Sequence, residues 1–414
     1  MKLSEELKYR GLIYQTTYKN LATLDNKNVT FYFGVDPSSD SMTIGNLAAI
    51  MLVKLFLKHG HKGVLLVGGA TGMIGDPDGK KSARPKISPK IIKNYKEGIK
   101  AEYERLLKDK DFTLVDNYDW FKKIKYIDFL NEIGRHVPLR TMLSRDFVQS
   151  RINTEDEGLS YAEFSYSLIQ AYDFYFLNQY FDVTLQLCGA DQWGNSIAGV
   201  DLIRRKSSHE VNVLSLPLIV NKSTGIKFGK SEIGAIWLNE NKTSVTKFYQ
   251  FWINLADQHI EDYLKIYTTL PKREIDQIMT NHQAEPSQRI AQHILAKEVT
   301  TLVHGEDKTL AAIKVSQFLT GERSLSEINK DDLDLISQEI PVIKLMENLS
   351  IANILVEAGL ASSLTEGRQL LKDQAIRINN KKVNKNNFES GDFEGQYLIL
   401  RKGKAFKDSA LIKI

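Results

Sequence analysis

The chain has 414 residues, of which 42% are hydrophobic and 26% charged, with a formal net charge of +4 and a pI near 8.7. This is ordinary globular composition, long enough for two or three domains, and its mild basicity permits an anionic partner without requiring one. The single cysteine, Cys188, excludes an intrachain disulfide framework and a cysteine-based zinc site, and no apolar run approaches the ~20 residues of a membrane-spanning helix. The lone thiol fits a reducing cytosol, and the start, "MKLSEELKYRG", lacks the apolar core of a secretion signal, so a cytoplasmic protein is expected.

The first ~220 residues alternate strand-like and helix-like patterns, which predicts a parallel α/β sheet. "VTFYFGVD" (29–36) reads as a buried strand and "TIGNLAAIMLVKLFLKHG" (43–60) as a helix closed by Gly60. "KGVLLVGGATG" (62–72) reads as a second strand running into glycines, "LSYAEFSYSLIQAYDFYFLNQYF" (159–181) as a long aromatic helix, and "VTLQLCGADQWGN" (183–195) as a third strand ending in a glycine turn. The unusual residues cluster where such strands end, which is where a parallel sheet builds its site. From Ser244 to Phe318 the pattern is helical, and from Met346 it is small and mixed. From Glu366 onward eleven Lys/Arg stand against six Asp/Glu, so the excess positive charge is concentrated there. The expected division is a catalytic α/β domain at 1–226, a loop and connection at 227–243, a helical domain at 244–325, a linker at 326–345 and a small α+β domain at 346–414.

Five stretches carry chemistry, and each has a plainer reading beside it. "GVDPSSDSMTIGN" places small hydroxyl residues before a helix start. Free N–H groups there, with Gly45 allowing close approach, suit an anion; simple capping by Ser41 or Thr43 is the alternative. "GGATGMIGDPDGKKSAR" is not a P-loop, because Gly75 and Gly79 enclose three residues where four are required. Asp76, Lys80 and Arg84 suit an ammonium and a carboxylate or phosphate, or else a solvated turn. Tyr166, Gln170 and Asp173 fall on one face of a helix. They are either hydrogen-bonded internally or line a pocket for a ligand with an ammonium and a hydroxyl. In "CGADQWGN", Asp191 suits a ribose diol and Gln192 a polar substrate group, while Trp193 reads equally as core. "KFGKS" sets Lys227 and Lys230 on a glycine-rich stretch without helix or strand pattern, suited to a polyanion that arrives and leaves.

Taken together and in this order, these stretches resemble those of the bacterial tyrosyl-tRNA synthetases, a class I aminoacyl-tRNA synthetase family. The resemblance spans nearly the whole chain, including "YRGLIYQTT" near the start and the basic tail. It implies a Rossmann-like catalytic domain, an α-helical domain and a ribosomal-protein-S-four-like RNA-binding domain. It also implies activation of L-tyrosine by ATP, release of pyrophosphate, and transfer of the tyrosyl group to the terminal adenosine of tRNA(Tyr). By the same resemblance Tyr32 and Asp173 hold the phenol, Asp76, Tyr166 and Gln170 the ammonium, and Gln192 the carboxyl side. Gly189 and Asp191 meet the ribose and Asp36 lies near the adenine, with Gly45, Lys80, Arg84 and Ser231 also on the ATP side. "KFGKS" matches the family's KMSKS-type loop, so Lys227 and Lys230 act on the departing pyrophosphate. Arg204, Arg205, Arg368 and Lys372 meet tRNA, with a solvated helix face as the alternative for the first two. Magnesium is expected with ATP, without a dedicated protein site, and the family implies a homodimer, with "YIDFLNEIGRHVPLRTML" as its interface.

Some positions depart from the family. Its HIGH signature stands here as Thr43-Ile44-Gly45-Asn46, so both histidines are replaced. Ser38 keeps a hydroxyl, and Phe33 replaces a small polar residue. In the tail, family glycines stand as Gln374 and Asn380, which implies different local turns. The altered signature leaves room for a second reading, an RNA-binding protein that has lost catalysis. Asp76, Gln192, Lys227 and Lys230 argue for the enzyme.

Overall fold

The computed structural model describes residues 1–77, 87–108, 110–143, 146–152, 158–220, 230–231, 234–345, 350–403 and 408–414. It divides into two compact units, Met1–Lys242 with Leu255–Leu295, and Thr243–Asn254 with Ala296–Ile414.

The first unit is built on a six-stranded sheet. Its strands are β1 (Gln15–Thr16), β2 (Thr30–Val35), β3 (Lys62–Val67), β4 (Phe112–Asp116), β5 (Val183–Gly189) and β6 (Asn212–Leu216), in the order β1-β6-β5-β2-β3-β4. All neighbours are parallel except the edge pair β1–β6. β3 shows why the sequence reads as a continuous apolar run: all but its first residue are buried, as a sheet covered on both faces requires. From β2 the chain winds outward through β3 to β4, then returns to β5 on the other side of β2. That reversal leaves a crevice at the carboxyl ends of β2 and β5, the usual ligand position in such sheets.

Four helices frame this crevice: α1 (Ile44–Lys58), α2 (Pro89–Leu106), α3 (Tyr161–Phe181) and α4 (Trp193–Ser207). Eleven of the fifteen α1 residues are buried, so it is a core helix rather than an amphipathic surface one. It stops at His59, followed by Gly60 at φ +84°, a conformation that suits glycine. α3 begins with a Ser160/Glu163 capping box, and Glu163 is further fixed by Arg151 at 2.7 Å. Arg10, itself buried, donates to the carbonyls of Lys265, Thr268 and Leu270 at 2.7–2.9 Å. It thereby satisfies carbonyls in and just beyond the last turn of the helix Ile260–Tyr267. Two short strands, β7 (Lys230–Ser231) and β8 (Gly234–Ala235), form an antiparallel pair in this unit.

In the second unit, α5 (Val245–Ile253) packs on α6 (Glu306–Thr320), with Gln250 donating to Ser316. A five-stranded sheet follows, made of β9 (Val342–Lys344), β10 (Ile376–Ile378), β11 (Lys381–Val383), β12 (Tyr397–Lys402) and β13 (Ser409–Lys413) in the order β11-β10-β12-β13-β9. The helices Ile351–Glu357 and Leu364–Lys372 cover it through Ile354, Leu355, Leu371, Leu398 and Ile412. Residues 326–345, expected as a linker, carry the helix Lys330–Ser337 and strand β9, whose Val342 and Ile343 pair with Leu411 and Ile412. The acidic character of that stretch hid a buried Ile336 and Ile340. Gln374 and Asn380 both sit at positive φ, 52° and 68°, the region that favours glycine. Asn380 forms the β10–β11 turn with Asn379, and asparagine tolerates this region better than most residues.

Candidate active site

The crevice opens into a cavity of about 460 Å³, within the range of small-molecule sites. Its inner end lies between β2, β5 and α3. Tyr32 is almost fully buried there, its hydroxyl has no hydrogen-bond partner among the described residues, and burial pushes its pKa well up. Asp173, from α3, is also buried, and its carboxylate is held at both oxygens. Trp120 donates through Nε1 at 2.9 Å and Asn117 through Nδ2 at 3.0 Å. Burial still raises the Asp173 pKa well above the usual carboxylate range, although the two donors oppose the shift.

The middle of the cavity is a hydrogen-bonded set of side chains from four segments. The Tyr166 hydroxyl donates to Asp36 at 2.7 Å, and Thr71 donates to the other Asp36 oxygen at 2.6 Å. Gln192 donates to Asp76 at 2.5 Å and accepts from Asn195 at 3.2 Å. The Gln170 Oε1 is buried without a partner among the described residues. Asp36, expected near an adenine, is thus joined directly to Tyr166, expected at an ammonium. The glycines following β3 make the approach possible. A Cβ on Gly68 would collide with the carboxylate of Asp36, and one on Gly72 would lie 2.9 Å from Pro37.

The outer end is formed by Ser38, by the first turn of α1 with Thr43, Gly45 and Asn46, and by Gly189 and Asp191 beyond β5. Thr43 caps α1 reciprocally with Asn46, whose Oδ1 accepts from the Thr43 backbone N–H at 3.0 Å and from its hydroxyl at 3.1 Å. Asn46 therefore turns its oxygen inward and keeps its amide N–H groups as donors. Not every first-turn N–H is free for a ligand, because Ile44 donates to Ile236 at 3.1 Å. The capping by Thr43 named as the alternative reading is thus present. Cys188, at the end of β5, is buried in the cavity wall, and burial pushes its thiol up to about 12.

The cavity thus gathers every tyrosine-side residue expected from the sequence, together with Asp36, Ser38, Thr43, Gly45, Asn46, Gly189 and Asp191. Lys80, Arg84 and Lys227 lie outside the described residues, and for Lys230 and Ser231 only the backbone, in β7, is described. Arg204 and Arg205 are exposed on the last turn of α4, Arg204 paired with Asp201 at 2.6 Å. Arg368 and Lys372 are exposed on the helix Leu364–Lys372. The sequence reading missed Asn117, Trp120, Thr71 and Gln186. A glutamine inside the apolar run "VTLQLCG" was a legible signal, whereas Asn117 and Trp120 gave none, being distant in sequence from Asp173. Among the described residues no group of three or more His, Cys, Asp or Glu is arranged to hold a metal ion, and no helix is long and apolar enough to cross a membrane.

Residues 24–320 match the family model of class I tRNA synthetases specific for tryptophan or tyrosine. A tyrosine–tRNA ligase of Streptococcus mutans is 40% identical over 98% of both chains, and one of Chromobacterium violaceum 42% over 97% of both. The chain belongs to the tyrosyl-tRNA synthetase family. Residues 332–407 match the C-terminal domain model of these ligases, so the family relationship extends through the basic sheet as well as the cavity. A C-terminally truncated mitochondrial tyrosyl-tRNA synthetase of Aspergillus nidulans shares the fold with a TM-score of 0.68 and 30% identity, over 76% of this chain and 94% of that one. Membership of the tyrosyl-tRNA synthetases makes this a class I enzyme that uses ATP as a substrate.

Proposed function

We propose that the cavity binds L-tyrosine at its inner end and ATP at its outer end, and that the chain is a tyrosine–tRNA ligase. One observation carries the tyrosine assignment: the buried, unpartnered hydroxyl of Tyr32 shares the inner end with a fixed Asp173. A phenolic hydroxyl entering there can donate to Asp173 and accept from Tyr32. Phenylalanine would leave the Tyr32 hydroxyl unpaired, at a cost of about 1–3 kcal/mol, and would bring no donor to Asp173. Strong rejection of phenylalanine is an established property of tyrosyl-tRNA synthetases as a class, so the discrimination itself is a family trait, and the residues that would produce it here are what this cavity adds.

In this reading Asp76, Tyr166 and Gln170 receive the ammonium and Gln192 the carboxyl side of tyrosine. Asp76 and Gln192 already touch, so the two ends of the amino-acid backbone would be held by one linked pair. The tyrosine carboxylate attacks the α-phosphorus of ATP, the bond to the β-phosphate oxygen breaks, and pyrophosphate leaves. The nucleophile is already ionised, so the protein's task is alignment and stabilisation of charge moving onto pyrophosphate. Asp36, Gly189 and Asp191 serve the adenosine, Ser38, Thr43, Gly45 and Asn46 the phosphates, and Lys80, Arg84, Lys227, Lys230 and Ser231 the leaving group, with magnesium as the counter-ion of ATP. A ribose hydroxyl of the terminal tRNA adenosine then attacks the tyrosyl carbonyl and AMP departs. Arg204 and Arg205 would meet the acceptor end, and Arg368 and Lys372 the tRNA backbone.

The domain roles follow as 1–226 catalytic, 227–243 loop and connection, 244–325 anticodon-side and 346–414 RNA-binding. A cytoplasmic homodimer is part of the same reading. Its support is the exposed apolar set Tyr126, Ile127 and Leu139 with Tyr161, whose hydroxyl lies 3.3 Å from that of Tyr126. The deciding experiment is amino-acid-dependent pyrophosphate exchange with tyrosine, phenylalanine and tryptophan. Exchange with tyrosine alone is expected; no exchange, or equal exchange with phenylalanine, would overturn the reading.

A further inference from the structure

The buried carboxylate of Glu102 lies outside every role given above. It projects from α2, and its two oxygens accept from the Ser41 hydroxyl and the Met42 backbone N–H, both at 2.6 Å. One turn earlier on the same face, Gly98 lets the helix touch the loop directly, since a Cβ there would collide with the Asp40 carbonyl oxygen. α2 therefore grips Asp40, Ser41 and Met42 through one backbone approach and one charge-assisted pair of hydrogen bonds.

Those loop residues hold two parts of the cavity wall. Met42 leads into Thr43 and the first turn of α1. On the other side, the Met42 carbonyl accepts from Leu238 at 2.9 Å, and Ser41 accepts from the Asn239 N–H at 3.2 Å. Thr43 stands opposite Trp237 in an antiparallel bridge, and Trp237 lines the cavity. Arg105, one turn after Glu102, donates to the Leu238 carbonyl at 3.2 Å. Lys242 reaches back to Asp40 and to Ser39 at 3.1 Å. Loop, helix start and the stretch 236–239 are thus tied at one buried point.

We propose that Glu102 is a positioning residue for adenylate formation: by holding Ser41 and Met42 it fixes the first turn of α1 and the segment around Trp237 against each other around ATP. It does not touch substrate. Its effect is on the outer half of the cavity, remote from Tyr32 and Asp173. The inference rests on the tyrosine-activation reading, and the test separates the two.

The test compares wild type, Glu102→Ala and Glu102→Gln in tyrosine-dependent pyrophosphate exchange, with KM for tyrosine and for ATP measured separately. Glu102→Ala should lower kcat about tenfold, the worth of roughly one hydrogen bond in the transition state, while KM for tyrosine stays within about twofold. Glu102→Gln should recover most of the rate, because its carboxamide oxygen still accepts one of the two bonds. Unchanged kcat in Glu102→Ala overturns the proposal, as does a rise in KM for tyrosine with no recovery in Glu102→Gln. If Glu102→Ala fails to fold, Ser41→Ala tests the same link: a fall in kcat without a change in KM for tyrosine supports it, and a wild-type kcat overturns it. Absence of exchange in the wild type would overturn the tyrosine-activation reading itself.

Discussion

Tyr32 on β2 stands directly opposite Gln186 on β5, and each carries a buried oxygen without a hydrogen-bond partner among the described residues, the Tyr32 hydroxyl and the Gln186 Oε1. Two unsatisfied polar atoms on paired residues of a sheet are costly in the absence of a ligand. Tyr32→Phe should therefore leave the ligand-free fold as stable or more so, by up to about 1 kcal/mol, while weakening tyrosine binding. Thermal melts and the KM for tyrosine in pyrophosphate exchange would check both halves. A variant that melts earlier and keeps its KM would show the hydroxyl to be structural.

Trp120 and Asn117 hold the two oxygens of Asp173, and Trp120 also stacks on Phe176 at 4.5 Å between ring centroids. Trp120→Phe keeps an aromatic ring but removes the N–H. One oxygen of Asp173 loses its donor, and a pKa already raised by burial should rise further. KM for tyrosine should increase about tenfold and the preference over phenylalanine should fall, the loss being that of a hydrogen bond to a charged group. Parallel exchange assays with both amino acids measure this. An unaltered preference would mean that Asn117 alone fixes the carboxylate.

His61 sits buried beside Phe56, accepts the Val29 N–H through Nδ1 at 3.2 Å, and has its pKa lowered from 6.5 to about 4, chiefly by burial. A depressed pKa favours the neutral ring in the folded state. Its contribution is full above pH 6.5 and is lost as pH falls towards 4, by at most about 3 kcal/mol. His61→Asn can still accept from Val29 but cannot become charged. Its melting temperature should change less between pH 7 and pH 5 than that of the wild type. Identical slopes would assign the acid sensitivity elsewhere.

Arg368 and Lys372 are exposed on one face of the helix Leu364–Lys372, four residues apart. If each neutralises one phosphate, alanine at either site should weaken tRNA binding and flatten its logarithmic salt dependence by about one unit. Tyrosine-dependent exchange without tRNA should be unaffected. Filter binding of tRNA(Tyr) between low and physiological salt gives the slope, and an unchanged slope would remove these residues from the RNA face.

Much of this molecule could be read before its structure. The parallel strands announced themselves as buried apolar runs, and the polar stripe on α3 stood out because Tyr166, Gln170 and Asp173 interrupt an otherwise core-like helix. What stayed hidden depends on contacts between distant segments. Nothing near Asn117 and Trp120 indicates that they grip a carboxylate more than fifty residues away. Nothing in "KAEYERL" marks Glu102 as the bracket of another loop. The stretch 326–345 looked like a linker because it is polar and acidic, yet Ile336 and Ile340 are buried and anchor it. Gln374 gave no sign in the sequence of its left-handed backbone, which is unusual for a residue with so long a side chain.

Cys188 has a practical consequence. It is the chain's sole sulfhydryl, it is 4% exposed, and its pKa stands at about 12. Alkylating reagents attack the thiolate, and burial both shields this sulfur and disfavours its ionised form. A fluorophore attached through one engineered surface cysteine should therefore report from that position alone, with no need to delete the native sulfur first.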